Sequence, residues 1–439
     1  MEQSPYIYGI DDRPPIRYSF LYALQWAVIM FPVLVTAAAL PAKVLGLGPA
    51  EEVRFFQLIL LTSGFFTAVQ CLWGHRYPVI DGPSTALLLT FLVLAPYGIP
   101  AIQGGTILGG ALLMAAVLVV KPRRIIPWMT PNVVGVILML IALTLLPYLS
   151  RLMAGVKPSA PAGSAVTFVL SIVLVLLMAT LAYRLKGFLK TISLLIGMLI
   201  GTALFYAVEL PIFTAFHEAA WLSFPSDIIP SRPAFTLPAM VAFAVSYVAV
   251  VVNSVGSIQA IANITTRDRM AEAIPRGLFL NGAAGVVCGL MGIIGTVSYS
   301  ISPGVVLSNR VASRFAAAYG GIMFGLAAFF PRFAALLALV PPPVVGAALC
   351  AAMGVQIGAA LSIIAEGGME RRDYFVVGLP VLVGTLLGFL PQGLVESVPQ
   401  VFRVFIGNGL IFGILLVLLL EHVLMRAEGS IEPWKGCGR

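Results

Sequence analysis

The chain has 439 residues, of which 60% are hydrophobic and only 10% charged, and its mean hydropathy is +1.01. A soluble domain carries roughly 25% charged residues, so this composition excludes a soluble globular protein and indicates a chain that lives in a bilayer. The net charge of +8 would suit a nucleic-acid partner, but its distribution over short loops serves membrane orientation, and no nucleic acid is expected. Cys71, Cys288, Cys350 and Cys437 lack paired spacing, so no metal site, disulfide framework or cofactor is expected.

The first dozen residues are polar and acidic without the basic start of a signal peptide, so the first span is expected to stay in the mature protein. A bilayer core takes ~20 apolar residues per helix. On that length about fourteen segments follow, beginning near Arg17, Glu52, Tyr77, Ala101, Met129, Gly163 and Lys190 in the first half. In the second half they begin near Phe235, Gly277, Thr296, Phe315, Val340, Tyr374 and Val401. The prediction is an all-α polytopic membrane protein.

Two of these segments are interrupted. The third reads Ile80-Asp81-Gly82-Pro83-Ser84-Thr85-Ala86, and the tenth reads Ser300-Ile301-Ser302-Pro303-Gly304-Val305. Pro83, Pro303 and Gly304 break helices inside sequence that otherwise belongs in lipid. Lipid-exposed backbone cannot leave N–H and C=O groups unpaired, so a broken span persists only where it lines a cavity or is buried in protein. Paired breaks in corresponding halves point to the substrate site of a transporter.

Of the 26 Lys and Arg residues, one set of alternating loops takes all but Lys43, Arg54, Arg151, Lys157, Arg232, Arg332 and Arg403. That asymmetry puts both termini in the cytoplasm and requires an even number of spans. Pro131-Asn132-Val133-Val134-Gly135 opens the fifth segment and Pro342-Pro343-Val344-Val345-Gly346 the twelfth, seven segments apart like the two breaks. Seven is odd, so the second half runs in the opposite sense: a 7+7 inverted repeat, with the site near mid-membrane.

These residues resemble the nucleobase–ascorbate transporter family, which includes bacterial uracil and xanthine permeases, over nearly the whole chain. Ala23-Leu24-Gln25-Trp26 is similar to the family's first-span Gln-His motif, and Gly82-Pro83-Ser84-Thr85-Ala86 to its Gly-x-Ser-Phe-Ala stretch. Asn253-Ser254-Val255-Gly256-Ser257 resembles the eighth-span Glu-Ser-x-Gly-Asp motif. Ile301-Ser302-Pro303-Gly304, leading to Arg310-Val311-Ala312-Ser313-Arg314, lies over the tenth-span signature. The sulfate and bicarbonate transporters share the same general fourteen-span plan.

The resemblance implies a core domain (17–125 and 235–338) beside a gate domain (126–234 and 339–425), between a cytoplasmic N-terminus (1–16) and a cytoplasmic tail (426–439). It implies short antiparallel strands in the third and tenth spans, substrate between two half-helices, a homodimer, and a place in the bacterial inner membrane. By the same correspondence, Gln25, Trp26, Ser84, Thr85, Asn253, Gly256, Ser257, Tyr299, Ser300, Ile301 and Ser302 are the expected substrate-binding positions. The implied activity is secondary transport of a planar purine or pyrimidine, with H+ or Na+ as the coupling ion.

The departures from the family pattern are chemical. Asn253 stands at the family's glutamate and Ser257 at its aspartate, and Ile301 replaces an acidic or amide residue. An amide can hold the edge of a heterocycle but cannot ionise. Asp81 is the ionisable group left at membrane depth, as a coupling group or as an N-terminal cap for the following half-helix. The other acids, among them Glu209, Glu218, Glu366, Glu370, Asp373, Glu396 and Glu421, are expected to be solvated at loops and span ends. Two half-helix N-termini with Ser84, Ser300 and Ser302 would also suit a small organic or inorganic anion, the alternative cargo. Trp26 and Tyr299 are candidates to stack on a planar ring. The three histidines are scattered and no nucleophile or phosphate-loop motif occurs, so an enzyme is not expected.

Overall fold

The computed structural model describes residues 6–119, 128–156, 161–186, 189–190, 192–208, 214–366, 368–398, 403 and 405–426. Among the described residues, eight helices are long and apolar enough to cross a membrane, and nine if one bent pair counts as a single span. The first half runs α1 (Ile16–Val44), α2 (Pro49–Leu72), β1 (Asp81–Pro83), α3 (Thr85–Leu94), α4 (Ile99–Val119), α5 (Pro131–Leu143), α6 (Leu146–Met153), α7 (Ala165–Arg184), α8 (Ser193–Val208) and α9 (Thr214–Glu218). The second half runs α10 (Leu237–Ile264), α11 (Met270–Leu290), β2 (Thr296–Ser298), α12 (Ser302–Asn309), α13 (Arg314–Ala327), α14 (Pro331–Ala338), α15 (Pro342–Glu366), α16 (Asp373–Leu387), α17 (Gln392–Ser397) and α18 (Gly409–Leu419).

Local chemistry explains most boundaries. Ser84, Thr130, Ser164, Ser313 and Asn408 each cap a helix by accepting the backbone N–H three residues on. Pro331 opens α14 after a 92° bend from α13, because proline fits a helix start and not a helix interior. α11 begins at Met270, about two turns ahead of the expected Gly277. Glu272 and Arg276, 3.0 Å apart, support this polar extension of an apolar span. Val401, the expected start of the last segment, lies outside the described residues, as do the 125–126 domain boundary and the tail from 427.

The helices pack in two sets. α2 lies against α13, α4 against α11, α1 against α13 and α10 against α4. The second set joins α5, α6 and α7 to α15, and α16 to α18. Glycine makes the closest of these contacts. A methyl group at Gly64 would stand 2.3 Å from the backbone nitrogen of Gly325, so α2 and α13 meet backbone to backbone.

Two acids differ from expectation. Asp373 and Glu421 are buried rather than solvated, with side chains 6% and 4% exposed. Arg372 explains this: its guanidinium lies 3.3 Å from Asp373 and 3.1 Å from Glu421, and Asn132 donates to Asp373 at 2.8 Å. Burial becomes tolerable once each charge is paired and hydrogen-bonded. Glu218 and Glu370 are exposed as expected, whereas Glu209 and the side chains of Glu366 and Glu396 lie outside what is described.

Candidate functional site

β1 and β2 pair antiparallel, with Asp81 opposite Ser298, Gly82 opposite Val297 and Pro83 opposite Thr296. Each strand leads directly into a short helix, so α3 and α12 leave the crossing in opposite directions. Both strands are fully buried, which meets the requirement that irregular backbone at membrane depth be enclosed. The ends of the ladder are tied by Ser84 N–H to Gly295 O at 2.8 Å and Tyr299 N–H to Ile80 O at 2.9 Å.

α10 passes beside the crossing and supplies its polar face. Ser257 Oγ lies 2.8 Å from the carbonyl oxygen of Ser298 and 2.8 Å from Ser300 Oγ. Ser300 in turn donates to Asn253 Oδ1 at 3.2 Å. Asn253, Ser257 and Ser300 are therefore brought together as expected. The Asn253 amide nitrogen has no protein partner among the described residues, and Ser300 and Ile301 are exposed beside it. Gly256 and Gly304 also face open space, since a methyl group at either would meet nothing within 4 Å.

Other expected positions are occupied differently. Ser84 is buried and caps α3. Ser302 donates to Tyr299 O at 2.9 Å and accepts from Ile80 N–H at 3.2 Å, so its hydroxyl is engaged within the crossing. Tyr299 donates to Pro83 O at 2.9 Å and lies over Gly82, with its ring buried. Trp26 is 1% exposed and packs on Gly320. In this conformation neither aromatic ring is open to a ligand. Gln25 and Thr85 are half-buried, Pro303 sits in the first turn of α12, and Pro83 ends β1.

Asp81 is not the cap of α3, because Ser84 performs that task. It lies inside β1, with its backbone N–H donated to Thr67 Oγ1 at 2.9 Å and its carbonyl accepting from the same hydroxyl. The Asp-x-Pro spacing suggested a helix start, but the ladder takes up residues 81–83 and moves the helix start to Thr85.

A cavity of 220 Å³ opens along α10. Val252, Val255, Gly256, Gln259, Ala260 and Asn263 form one wall, facing Met129, Pro131 and Val134 at the start of α5 and Ile363 of α15. Among the described residues the cavity has no charged lining residue, and its volume is below the roughly 300–1,000 Å³ of drug-sized ligand sites, which suits a single small molecule. Gln259 and Asn263 were missed in the sequence reading. Their signal was the helical spacing from Gly256 through Gln259 to Asn263, which continues the polar stripe of Asn253 along α10.

The profile described as "Permease family", that of the xanthine and uracil permeases, matches residues 17–393. A putative purine permease of Clostridium perfringens is 27% identical over 431 residues, covering 97% of this chain and 94% of its own. The uric acid permease PucK of Bacillus subtilis is 28% identical over 91% of this chain and 93% of its own. The uracil permease of Escherichia coli is 25% identical over 96% and 97%. Among solved structures, the transmembrane domain of the cyanobacterial bicarbonate transporter BicA superposes with a TM-score of 0.55 at 14% identity, over 94% of this chain and 99% of its own. The murine Solute Carrier 26 family member A9 anion transporter, in its inward-facing state, gives 0.63 at 12% identity, over 93% and 68%. These structures share the fold. The chain is a membrane transporter, not an enzyme, and belongs to the permease family of the xanthine and uracil permeases, the nucleobase–ascorbate transporters that its motifs resemble.

Proposed function

We propose that the chain is a secondary transporter of a purine or pyrimidine nucleobase, or a similar planar heterocycle, across a bacterial inner membrane. The observation that carries this reading is the strand crossing beside α10, where Asn253, Ser257 and Ser300 form one hydrogen-bonded group next to an uncharged cavity. An amide with an unpaired N–H2 and neighbouring hydroxyls can match the alternating donors and acceptors of a nucleobase edge. The named purine, uric acid and uracil permeases, each similar over nearly its whole length, support the same substrate class.

Transport proceeds by alternating access of the core (17–125, 235–338) against the gate (126–234, 339–425), with fourteen segments and both termini cytoplasmic. The inverted repeat is supported by packing. Under an offset of seven segments, α2 on α13 becomes α11 on α4, and α1 on α13 becomes α10 on α4. The positive loops put the Asn263 end of α10 at the cytoplasm, so the cavity belongs to an inward-facing state. A homodimer would cover part of the exposed apolar surface of α7 and leave the rest to lipid.

Thermal stabilisation of the purified protein by nucleobases, urate, aromatic carboxylates and inorganic oxyanions tests the cargo. A ligand at a hundredfold excess over its Kd adds about 2.7 kcal/mol. Stabilisation by a purine or pyrimidine is expected. Stabilisation by small anions alone would mean that the half-helix N-termini select charge, and would replace the nucleobase with an anion.

A further inference from the structure

The Asn253–Ser257–Ser300 group is one side of a larger network. Behind the strands, Gln70 of α2 donates to Gly277 O at 2.9 Å and to Asn281 Oδ1 at 2.7 Å. Asn281 of α11 donates to Ser254 Oγ, which also accepts the Ser298 N–H at 3.4 Å. Ser254 adjoins Asn253, and the Ser298 carbonyl is one of three acceptors within 2.8 Å of the Ser257 hydroxyl, with Asn253 O and Ser300 Oγ. Ser298 thus joins the buried network to the substrate face, and the residue opposite it in the ladder is Asp81.

Asp81 is 0% exposed, and both carboxyl oxygens are buried without a hydrogen-bond partner. Gln70 and Ser298 lie against the carboxyl, but the Gln70 amide nitrogen is already engaged with Gly277 and Asn281. From α2 the Cys71 thiol faces the same spot, and from the end of β2 the Tyr299 phenol does so. α1, the third element packed on β1, has no titratable residue between Tyr22 and Lys43. The basic groups at this end of α2 are turned elsewhere: His75 Nδ1 accepts the Tyr77 N–H, and Arg314 pairs with Asp11 and the carbonyls of Cys71 and Leu72. No described cation pairs with Asp81.

We propose that Asp81 is a proton-binding site that couples transport to proton movement, acting through Ser298 on the Asn253–Ser257–Ser300 group. An ionised carboxylate in this position would be buried and unpaired, at a cost that protonation removes. A metal cation would need a shell of ligands, and among the described residues no group of three or more acidic, histidine or cysteine side chains gathers to hold one. A proton needs no shell. The step is simple: the carboxylate takes up one proton, carries it as the neutral acid while the site is enclosed, and releases it when the site opens to the other side. α10 carries no carboxylate or histidine along its length, and Asp81 supplies an acid from the strand directly behind it. This proposal rests on the transporter reading above but not on the identity of the cargo.

The test uses the full-length protein. Infrared difference spectra between acid and alkaline pH report the C=O stretch of a buried protonated carboxyl without any substrate. The wild type is expected to show this band, and Asp81→Asn to lack it. In proteoliposomes, an inward gradient of one pH unit sustains about tenfold accumulation of a solute coupled to one proton. Asp81→Asn is expected to bring labelled uracil or urate only to equal concentrations on both sides, while exchange continues. A band that persists in Asp81→Asn, accumulation by that variant equal to wild type, or accumulation that follows Na+ and ignores pH would each overturn the proposal. If the wild type moves none of the nucleobases tried, the cargo reading fails and the infrared band alone decides the proton site. Should Asp81→Asn not fold, Ser298→Ala leaves the carboxyl in place and is expected to shift the band, whereas an unshifted band rejects the link through Ser298.

Discussion

Gly82 has no room for a side chain, because a methyl group there would lie 2.6 Å from Tyr299 Oη and 2.8 Å from its ring. Gly82→Ala is therefore expected to cost about 1–3 kcal/mol through overpacking, read as a fall in melting temperature of the purified protein. A melting temperature equal to wild type would mean that Tyr299 moves freely and does not brace the crossing. Arg372 has a different role, neutralising two buried acids at once. Arg372→Ala leaves Asp373 and Glu421 facing each other across Asn132, and about 3 kcal/mol of destabilisation is expected. Thermal unfolding at neutral pH measures it, and Arg372→Lys should recover only part, since lysine cannot serve both acids with a planar fork.

At the scale of elements, residues 6–12 form a strap along the loop that follows α12. Ile7 N–H bonds to Arg310 O, Ala312 N–H to Tyr8 O and Arg314 N–H to Ile10 O, at 2.8, 2.9 and 3.0 Å. Asp11 fixes the strap between Arg269 and Arg314 at 2.5 and 2.7 Å. Hydrogen bonds from Arg269 and then Arg314 hold the Asp11 carboxyl well below its usual range, at about 2. A lowered folded value means stability that is complete above the unfolded value of about 4 and is lost as pH falls from there toward 2. Asp11 is half exposed, so the effect is small. The difference in melting temperature between wild type and Asp11→Asn is expected to shrink below pH of about 4 and to stay constant above it. A difference that does not change with pH would show that the strap is held by its backbone bonds alone.

For the whole molecule, a buried polar contact joins the two helix sets. Asn408 caps α18 with its oxygen and donates to Thr90 of α3 at 3.3 Å, while Thr90 and Ser246 of α10 share a hydrogen bond of 2.5 Å. Ser246 and Gln259 are about 20 Å apart along α10, so this contact closes the end opposite the cavity. If the domains alternate as proposed, Asn408→Ala removes a bond worth about 1 kcal/mol and moves the population toward the outward-open state about fivefold. Labelling of a cysteine placed near Ser246 by an impermeant thiol reagent should rise accordingly, and unchanged labelling would remove Asn408 from the closing contact.

Apolar length and helix-breaking residues are local properties, so the polytopic class, the position of most long helices and the two broken segments followed from the sequence alone, while the short helices α6, α9, α14 and α17 did not. The polar stripe of α10 was legible in part: Asn253 and Ser257 stood out by motif, while Gln259 and Asn263 became cavity-lining residues only once α5 and α15 closed over them. Asp81 shows the limit most clearly. Its spacing from Pro83 favours a helix cap over a coupling acid, and the pairing of β1 with a strand more than 200 residues away decides against the cap. The same holds for Asp373 and Glu421, whose burial depends on an arginine and an asparagine brought in by other helices. Sequence determines what each segment can bury and where the backbone must break. Tertiary packing alone decides which polar groups meet, because the strength of a buried charge or hydrogen bond depends on partners distant in the chain.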